Sequence, residues 1–391
     1  MDFSLSEDEQ AYRDKVRQLV DDVDGAQMRA FWAEQHALGG DRMFPWALSA
    51  HKVLVEQGLI GLDWPAPWGK GATSSEVFVV AEELVAAGFP SSPVTSSHSL
   101  VRGLISHGSP KIVEEQLPKV LAGDLRYAGG LSEPEAGSDL FALRTTAVRH
   151  GDEYVVNGSK LWTSYAHEAQ YISTLVRTDP ESTRHRGLSM LLIPTDAPGM
   201  EIKPVWVVGG WRVNQCFFED VRVPVSNRLG PENEGAAILS AGLSAERSMS
   251  FGGTESRLLL ARLLHRFAGA ADELQDNDLE AIGRFVTKLE VERLLNVAAN
   301  AKGIRGEEAS VAGSMGKVFG SELAQEFAQW LNELLADSLY QREWGAAADD
   351  QLAADAEWFV RGTVTVTVAG GTSEIQRNAI AQRGLGLPKG A

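Results

Sequence analysis

The change of hydrophobic period along the chain limits its fold more than any other sequence feature. Apolar side chains recur at helical spacing before Asp124, as in the run from Ser6 to Leu19. Short extended runs separated by turn residues follow Asp124, and long amphipathic runs return after Pro231. The order predicts a mainly α protein with a small central β-barrel or sandwich and a C-terminal four-helix bundle. The expected domains are helical at 1–123, β at 124–228 and helical at 229–391.

Local signals support each part of this order. Ser6 with Glu9, and Thr73 with Glu76, have capping-box spacing, and Ser109 before Pro110 indicates another helix start. The predicted strands include a hairpin, 144–149 with 154–157, and the runs Leu188–Pro194, Glu201–Val208 and Val213–Val223. The later helices are predicted at 236–247, 255–268, 279–303 and 310–338. The β-branched run Thr363–Val368 then precedes glycines and a helix from Ser373.

Charge and cysteine content exclude several classes of function. The chain has 36 Lys and Arg against 53 Asp and Glu, a formal charge of −17. Such a surface repels phosphate backbones and anionic lipid, so we expect neither nucleic acid nor a membrane as partner. The single cysteine, Cys216, excludes a Cys-rich metal site. The acidic start and the lack of a long apolar run predict a cytoplasmic protein.

Two segments of the β-region group residues that suit a flat, polar-edged ligand. Leu131–Asp139 reads LSEPEAGSD, a tight loop with the hydroxyls of Ser132 and Ser138 near its two ends. Gly158–Ser164 reads GSKLWTS and places Trp162 beside the hydroxyls of Thr163 and Ser164. An aromatic face with neighbouring hydroxyls suits a heteroaromatic ring. Taken alone, each segment reads equally well as a polar connection or a core strand.

The terminal segment Ala369–Asn378 reads AGGTSEIQRN. Its glycines allow close backbone approach, and the helix that follows presents free N–H groups to an anion or a carbonyl oxygen. An ordinary capped helix is the structural alternative. Two further segments are predicted to be strands and turns: GLSMLLIPTDAPG at 187–199 and FFEDVRVP at 217–224. They serve as markers of position in the order of segments along the chain.

The order of these segments, more than any one of them, is specific. LSEPEAGSD, GSKLWTS, FFEDVRVP and AGGTSEIQRN in sequence resemble the acyl-CoA dehydrogenase family over nearly the whole chain. That family has the same helical, β and helical order. The resemblance implies FAD as cofactor, bound between the β-domain and the C-terminal helices. The residues at matching cofactor positions are Leu131, Ser132, Ser138, Trp162, Thr163, Ser164, Thr372 and Glu374.

The resemblance also implies the reaction, α,β-dehydrogenation of an acyl-CoA thioester. Family members use a backbone N–H to meet the thioester oxygen, and the matching group is that of Gly370. Many members carry the catalytic Glu at this same position, where a glycine stands here. Other members carry it before an Arg on a helix of the C-terminal domain, a pattern matched by Glu246 and Arg247. We therefore expect Glu246 to be the base, with Ser138 and Arg247 near the substrate.

The expected partners are an acyl-CoA substrate and an electron-transfer flavoprotein as electron acceptor. The family is usually tetrameric, and this chain departs from its flavin-site pattern near Arg266 and at 338–350. Both a homotetramer and a heterotetramer with a sister subunit therefore stay open. Three other functions stay open as well: a non-catalytic partner subunit, a flavin oxidase or monooxygenase, and a member of the DNA-associated branch. The last is disfavoured by the negative charge.

Glycines before the first segment hint at the acyl group. Gly129 and Gly130 stand where relatives often carry bulkier residues. We expect extra room there, which suits a branched or bulky acyl chain.

Overall fold

A computed structural model describes residues 5–22, 51–86, 98–208, 212–239, 253–270, 274–304, 309–336 and 351–388. The helices of the N-terminal third include, among the described residues, α1 (Glu7–Asp22), α2 (Ser74–Ala86), α3 (His98–His107) and α4 (Pro110–Ala122). Residues 51–56 are helical as well. Helices α1 and α2 share a core around Val16, Leu54 and Val80. The last two helices pack their apolar faces against the β-domain through Leu104 and Leu117.

The predicted helix starts are confirmed in this part. The Ser6 N–H donates to Glu9 Oε2 at 2.7 Å, and the Glu9 N–H donates back to Ser6 Oγ at 3.2 Å. Thr73 and Glu76 make the same reciprocal pair at the start of α2. Ser109 caps α4 by accepting from the third residue of its first turn. Each cap satisfies N–H groups that have no partner within the helix.

The central part of the chain forms one sheet, of which eight strands lie in the described residues. The strands are β1 (Tyr127–Gly130), β2 (Thr146–His150), β3 (Glu153–Lys160), β4 (Tyr171–Arg177), β5 (Leu188–Pro194), β6 (Met200–Trp206), β7 (Arg212–Pro224) and β8 (Arg228–Leu229). Their order is β6-β7-β3-β2-β4-β5-β8, and β1 pairs in parallel with β4. The predicted hairpin is confirmed as β2 and β3, with Thr146 opposite Asn157.

The sheet positions the loops that follow its strands. Its interior is a cluster around Tyr154, Ile172, Leu191 and Phe218. Residues Leu188–Ile193 of β5 are buried throughout, because one side faces this cluster and the other faces the N-terminal helices. The LSEPEAGSD loop follows β1, and the LWTS residues follow β3. Both loops therefore leave strands that are held by the same core.

The C-terminal part is helical, as predicted. Its helices are α5 (Gly253–Phe267), α6 (Asp276–Ile304), α7 (Ser310–Leu334), α8 (Gln351–Gly362) and α9 (Ser373–Ala379). The first four surround a shared core in which Phe327 contacts Phe285 and Phe359, with ring centroids 5.1 and 6.1 Å apart. The β-branched run Thr363–Val368 forms successive turns, since Thr365 and Val368 N–H groups donate three residues back. Local turn bonds outweigh β propensity there.

The domain limits near residues 123 and 228 stay predictions. Helix α4 ends one residue before the first limit and β1 begins shortly after it. Among the described helices, none combines the length and the apolar character that a membrane span requires.

Candidate functional site

A buried ion pair joins the two segments of the β-domain that are predicted to contact a flat ligand, Leu131–Asp139 and Gly158–Ser164. Lys160, at the end of β3, is fully buried, and its Nζ donates to Glu133 Oε1 at 2.8 Å. The same ammonium donates to the Leu131 carbonyl at 3.0 Å, and the Leu161 N–H donates to the Ser132 carbonyl at 2.8 Å. The loop after β1 and the loop after β3 are therefore one hydrogen-bonded unit.

Glu133 is the centre of this unit. Besides Lys160, its carboxylate accepts the backbone N–H groups of Arg144 at 2.7 Å and Thr145 at 3.0 Å. Burial alone would raise the pKa of Glu133, but the Lys160 charge and these hydrogen bonds hold it below its ordinary value. Burial lowers the pKa of Lys160 to about 8, against the opposing attraction of Glu133. The attraction between Glu133 and Lys160 thus favours the charged form of each side chain, whereas burial opposes it.

Trp162 directly follows this unit in the sequence and is exposed. Its backbone is in the left-handed region, with φ 63°, and 55% of the residue's surface is accessible to solvent. The next residue, Thr163, is held to β7 because its N–H donates to the Asn214 carbonyl at 2.9 Å. The buried Asn214 side chain also donates to the Thr163 carbonyl at 2.8 Å. A rigid backbone thus presents a large aromatic face that the described residues leave half open.

The hydroxyls of the two segments differ in accessibility. Ser132 is half-buried, and Ser138 and Ser164 are exposed. The Thr163 side chain is fully buried inside the β-domain beside the Cys216 thiol. Burial raises the pKa of that thiol to about 11, which the Thr163 hydroxyl opposes. Ser132, Ser138 and Ser164 can therefore meet a ligand through their hydroxyls, whereas the Thr163 hydroxyl faces the protein interior.

The terminal segment ends in a tight glycine turn before α9. Gly370 and Gly371 have φ 66° and 91°, a left-handed conformation that favours glycine. Thr372 caps α9, and its Oγ1 accepts the Ile375 N–H at 3.3 Å. Glu374 is exposed in the first turn. Within the described residues, the Gly370 N–H has no acceptor.

The structure brings some predicted site residues together and leaves others apart. Residues 131–133 and 160–164 share the hydrogen-bonded unit described above. The terminal segment packs instead on α7, where Arg377 pairs with Glu322 at 2.7 Å. Within the described ranges, it makes no hydrogen bond to the side chains of Ser132, Trp162 or Ser164.

Two predicted site residues lie outside the described residues, and so does one of the two segments that depart from the family pattern. Glu246 and Arg247, the expected base and its neighbour, lie outside the described residues, as does the whole of 338–350. At the other departure, the Arg266 guanidinium lies 5.7 Å from the Phe267 ring centroid at the end of α5.

Sequence reasoning missed the residues that hold the site in place. Glu133 and Lys160 lie inside the two quoted segments, and their opposite charges were the available signal. Asn214 on β7 had no such signal, because its partner Thr163 is 51 residues away. Gln376 lies in the quoted terminal segment, but its buried partner Ser314 lies on α7, 62 residues away.

Comparison with known proteins decides the family. Models of the acyl-CoA dehydrogenase N-terminal, middle and C-terminal domains match residues 6–124, 128–221 and 258–385. The chain is 37% identical to acyl-CoA dehydrogenase FadE26 of Mycobacterium tuberculosis over 349 residues, 85% of this chain and 86% of that protein. The chain belongs to the acyl-CoA dehydrogenase family. Dehydrogenation of an acyl-CoA is the reaction of this family, so the chain is an oxidoreductase.

Two solved relatives extend this acyl-CoA dehydrogenase match to the whole fold. A chain of the Tcur3481-Tcur3483 steroid ACAD superposes with a TM-score of 0.85 at 32% identity, covering 100% of both chains. A chain of the ChsE4-ChsE5 complex of Mycobacterium tuberculosis gives 0.84 at 31% identity, with the same coverage. The predicted fold class is confirmed.

Proposed function

We propose that this acyl-CoA dehydrogenase binds FAD against Trp162 and uses Glu246 to remove the α-proton of its thioester. The observation that carries the cofactor assignment is the uncovered Trp162 ring on a rigid backbone. The backbone of Trp162 is held in the left-handed conformation, and its large aromatic side chain is left half exposed. Such an aromatic surface suits a flat ligand.

The residues present fit FAD by their chemistry. Ser132 and Ser164 lie in the two segments that adjoin Trp162, and their accessible hydroxyls can donate to or accept from a polar ring edge. Leu131 and Thr163 take part through their backbones, since the Thr163 side chain is interior. The accessible Ser138, with Thr372 and Glu374 of the terminal segment, completes the proposed set. Bound there, FAD would supply the acceptor for the hydride that leaves the β-carbon.

Residues of the chain would stabilise the thioester oxygen and remove the α-proton. The Gly370 N–H, free of an acceptor in the described residues, would donate to the thioester oxygen as charge collects there. No carboxylate stands at position 370, so the base must come from another element. The Glu246–Arg247 pattern supplies one, and an apolar surrounding would raise its pKa and improve it as a base. Arg247 would organise the substrate site.

Room beside β1 supports a bulky acyl group. A Cβ atom added at Gly129 would meet no atom within 4 Å. A side chain at Gly130 would instead collide with Ile172 at 2.8 Å, so the strand leaves space on one side only. A relative at 32% identity is a steroid ACAD, and a steroid is a large, cyclic compound. We propose a branched or cyclic acyl chain on these two grounds.

We propose further that the chain pairs with an unlike sister subunit. The two solved relatives described above each carry the names of two different chains, Tcur3481-Tcur3483 and ChsE4-ChsE5. The departures from the family's flavin pattern in this chain agree with a site that a second chain completes. An electron-transfer flavoprotein is the proposed electron acceptor, as the family resemblance implies.

The test compares the chain purified alone and co-expressed with the product of a neighbouring gene of the same family. Anaerobic addition of a panel of acyl-CoAs should bleach the flavin, most strongly with a bulky acyl group. Glu246→Gln should keep flavin but lose turnover by about 10²- to 10⁴-fold. An unchanged rate in this variant would refute Glu246 as base. Absence of bleaching in every preparation would indicate a non-catalytic subunit, and rapid peroxide formation an oxidase.

Flavin content gives a separate readout for the Trp162 assignment. Trp162→Ala should purify with less bound flavin than the parent protein. Trp206 is equally exposed, 55%, but lies at the end of β6, so Trp206→Ala is the matched control. Equal loss in both variants would contradict a specific role of Trp162.

A further inference from the structure

A buried amide reaches back from α9 to the glycine turn. Gln376 is 1% exposed, and its Nε2 donates to the Gly370 carbonyl at 2.9 Å. The same nitrogen lies 3.4 Å from the Gly371 carbonyl oxygen. At its other end, Gln376 Oε1 accepts the hydroxyl of Ser314 at 2.7 Å. Ser314 is fully buried on α7, so the turn is tied through one amide to the helical bundle.

The chemistry of the three groups allows only one orientation of this amide. Two carbonyl oxygens lie at one end, and they require the NH₂ group there, because an amide oxygen would repel them. The amide oxygen of Gln376 must then face Ser314, whose hydroxyl can donate to it. Each polar atom of the buried pair is satisfied in this arrangement and in no other.

Gly371 is shaped for this contact. A Cβ at this position would lie 2.7 Å from Gln376 Nε2, and the φ of 91° disfavours any side chain. The second glycine of the motif therefore gives the amide its path to the backbone.

The turn is also held from its other side. The Ser373 N–H donates to the Thr367 carbonyl at 2.9 Å, and Thr372 caps α9. These bonds fix the ends of the turn. The hydrogen bond from Gln376 fixes the direction of the Gly370 carbonyl, and with it the ψ angle of Gly370.

We infer that Ser314 and Gln376 are positioning residues that aim the Gly370 N–H at the thioester oxygen. The inference rests on the proposed function, in which that N–H meets the developing charge. The N–H belongs to the peptide before Gly370 and the held carbonyl to the peptide after it, so both planes meet at one Cα. With φ at 66° and the carbonyl held, the direction of the N–H is set before substrate arrives.

Gln376→Glu and Ser314→Ala test the inference. A glutamate has the same shape but directs an oxygen at the two carbonyls, so the turn should rotate. Ser314→Ala leaves the amide oxygen of Gln376 unpaired and should loosen the turn more mildly. Ser321→Ala is the control, because Ser321 is equally buried on α7 but donates within that helix to Val318.

We expect Gln376→Glu to lower kcat about 10²-fold, the order of loss for a misplaced oxyanion donor, with little change in KM. Ser314→Ala should lower kcat several-fold, and Ser321→Ala should not. A second readout is the α-proton pKa of a bound 3-thia-acyl-CoA, which forms an enolate but has no β-carbon hydride to lose. That pKa should rise by about one unit in Gln376→Glu, since the enolate oxygen loses its donor.

The outcomes separate the two proposals. If the parent protein neither turns over an acyl-CoA nor ionises the 3-thia analogue, the proposed function fails. If the parent does both and Gln376→Glu and Ser314→Ala match it, the positioning role is overturned. A Ser321→Ala loss equal to that of Ser314→Ala would overturn it too. Should Gln376→Glu fail to fold, Ser314→Ala alone decides between these results.

Discussion

Glu133→Gln should release the two loops that carry the proposed flavin residues. In the parent protein, Glu133 accepts from Lys160 and from the N–H groups of Arg144 and Thr145. Glutamine keeps the shape but replaces one acceptor oxygen with an NH₂ group and removes the negative charge. The buried Lys160 ammonium then has no counter-charge, and one donor faces another donor.

The expected cost follows from burial. Removing one member of a buried ion pair costs about 3–5 kcal/mol. The amide oxygen still accepts one bond, so we expect the lower end of this range. At about 1.4 kcal/mol per factor of ten, local opening should become about 100-fold more frequent.

Hydrogen exchange measures this opening directly. The Leu161 amide is the reporter, because its N–H donates to Ser132 across the two loops. Glu135→Gln is the control: Glu135 lies in the same loop and pairs with Arg144 at 3.1 Å, but its side chain is 73% exposed. An exposed pair is worth about 0–1 kcal/mol, so this variant should exchange almost as the parent does. Equal exchange in the two variants would refute the conclusion that Glu133 holds the two loops together.

Two further predictions concern stability. The pKa of Glu133 is lowered in the folded state, so the folded protein binds fewer protons than the unfolded chain near pH 4. The free energy of unfolding should therefore fall as the pH drops below 4.5, the ordinary pKa of a glutamate, toward the lower pKa of Glu133 in the folded state, and Glu133→Gln should lose less of it in urea titrations; an equal or larger loss would contradict this. Gly130→Ala should cost about 1–3 kcal/mol through its contacts with Ile172 and Thr174, at 2.8 and 3.0 Å. Gly129→Ala should change the urea midpoint little, since its Cβ meets open space, and equal effects at both glycines would argue against the one-sided room beside β1.

Sequence periodicity and capping signals predicted much of the fold because they act locally. The capping boxes of α1 and α2 involve residues three positions apart, and both form as the sequence indicates. Periods of 3.6 and 2 residues separate helical from extended segments in the same local way. The run Thr363–Val368 shows the limit, because its β-branched residues form turns.

The sequence by itself also determined the family, because the order of four short segments is specific even though each segment is weak. It placed Trp162, Ser132, Ser164 and Gly370 in the proposed site through that resemblance. It assigned the base to Glu246 through the resemblance to family members that carry Glu before Arg on a C-terminal helix, since position 370 is a glycine, and that assignment stays a prediction.

The tertiary structure alone decided how these residues are held. Lys160 reaches Glu133 across 27 positions, Asn214 reaches Thr163 across 51, and Ser314 reaches Gln376 across 62. Such pairs leave no periodic trace in a sequence, since their partners meet only when separate elements pack. Burial then makes them strong, because a polar group removed from water must find its partner within the protein.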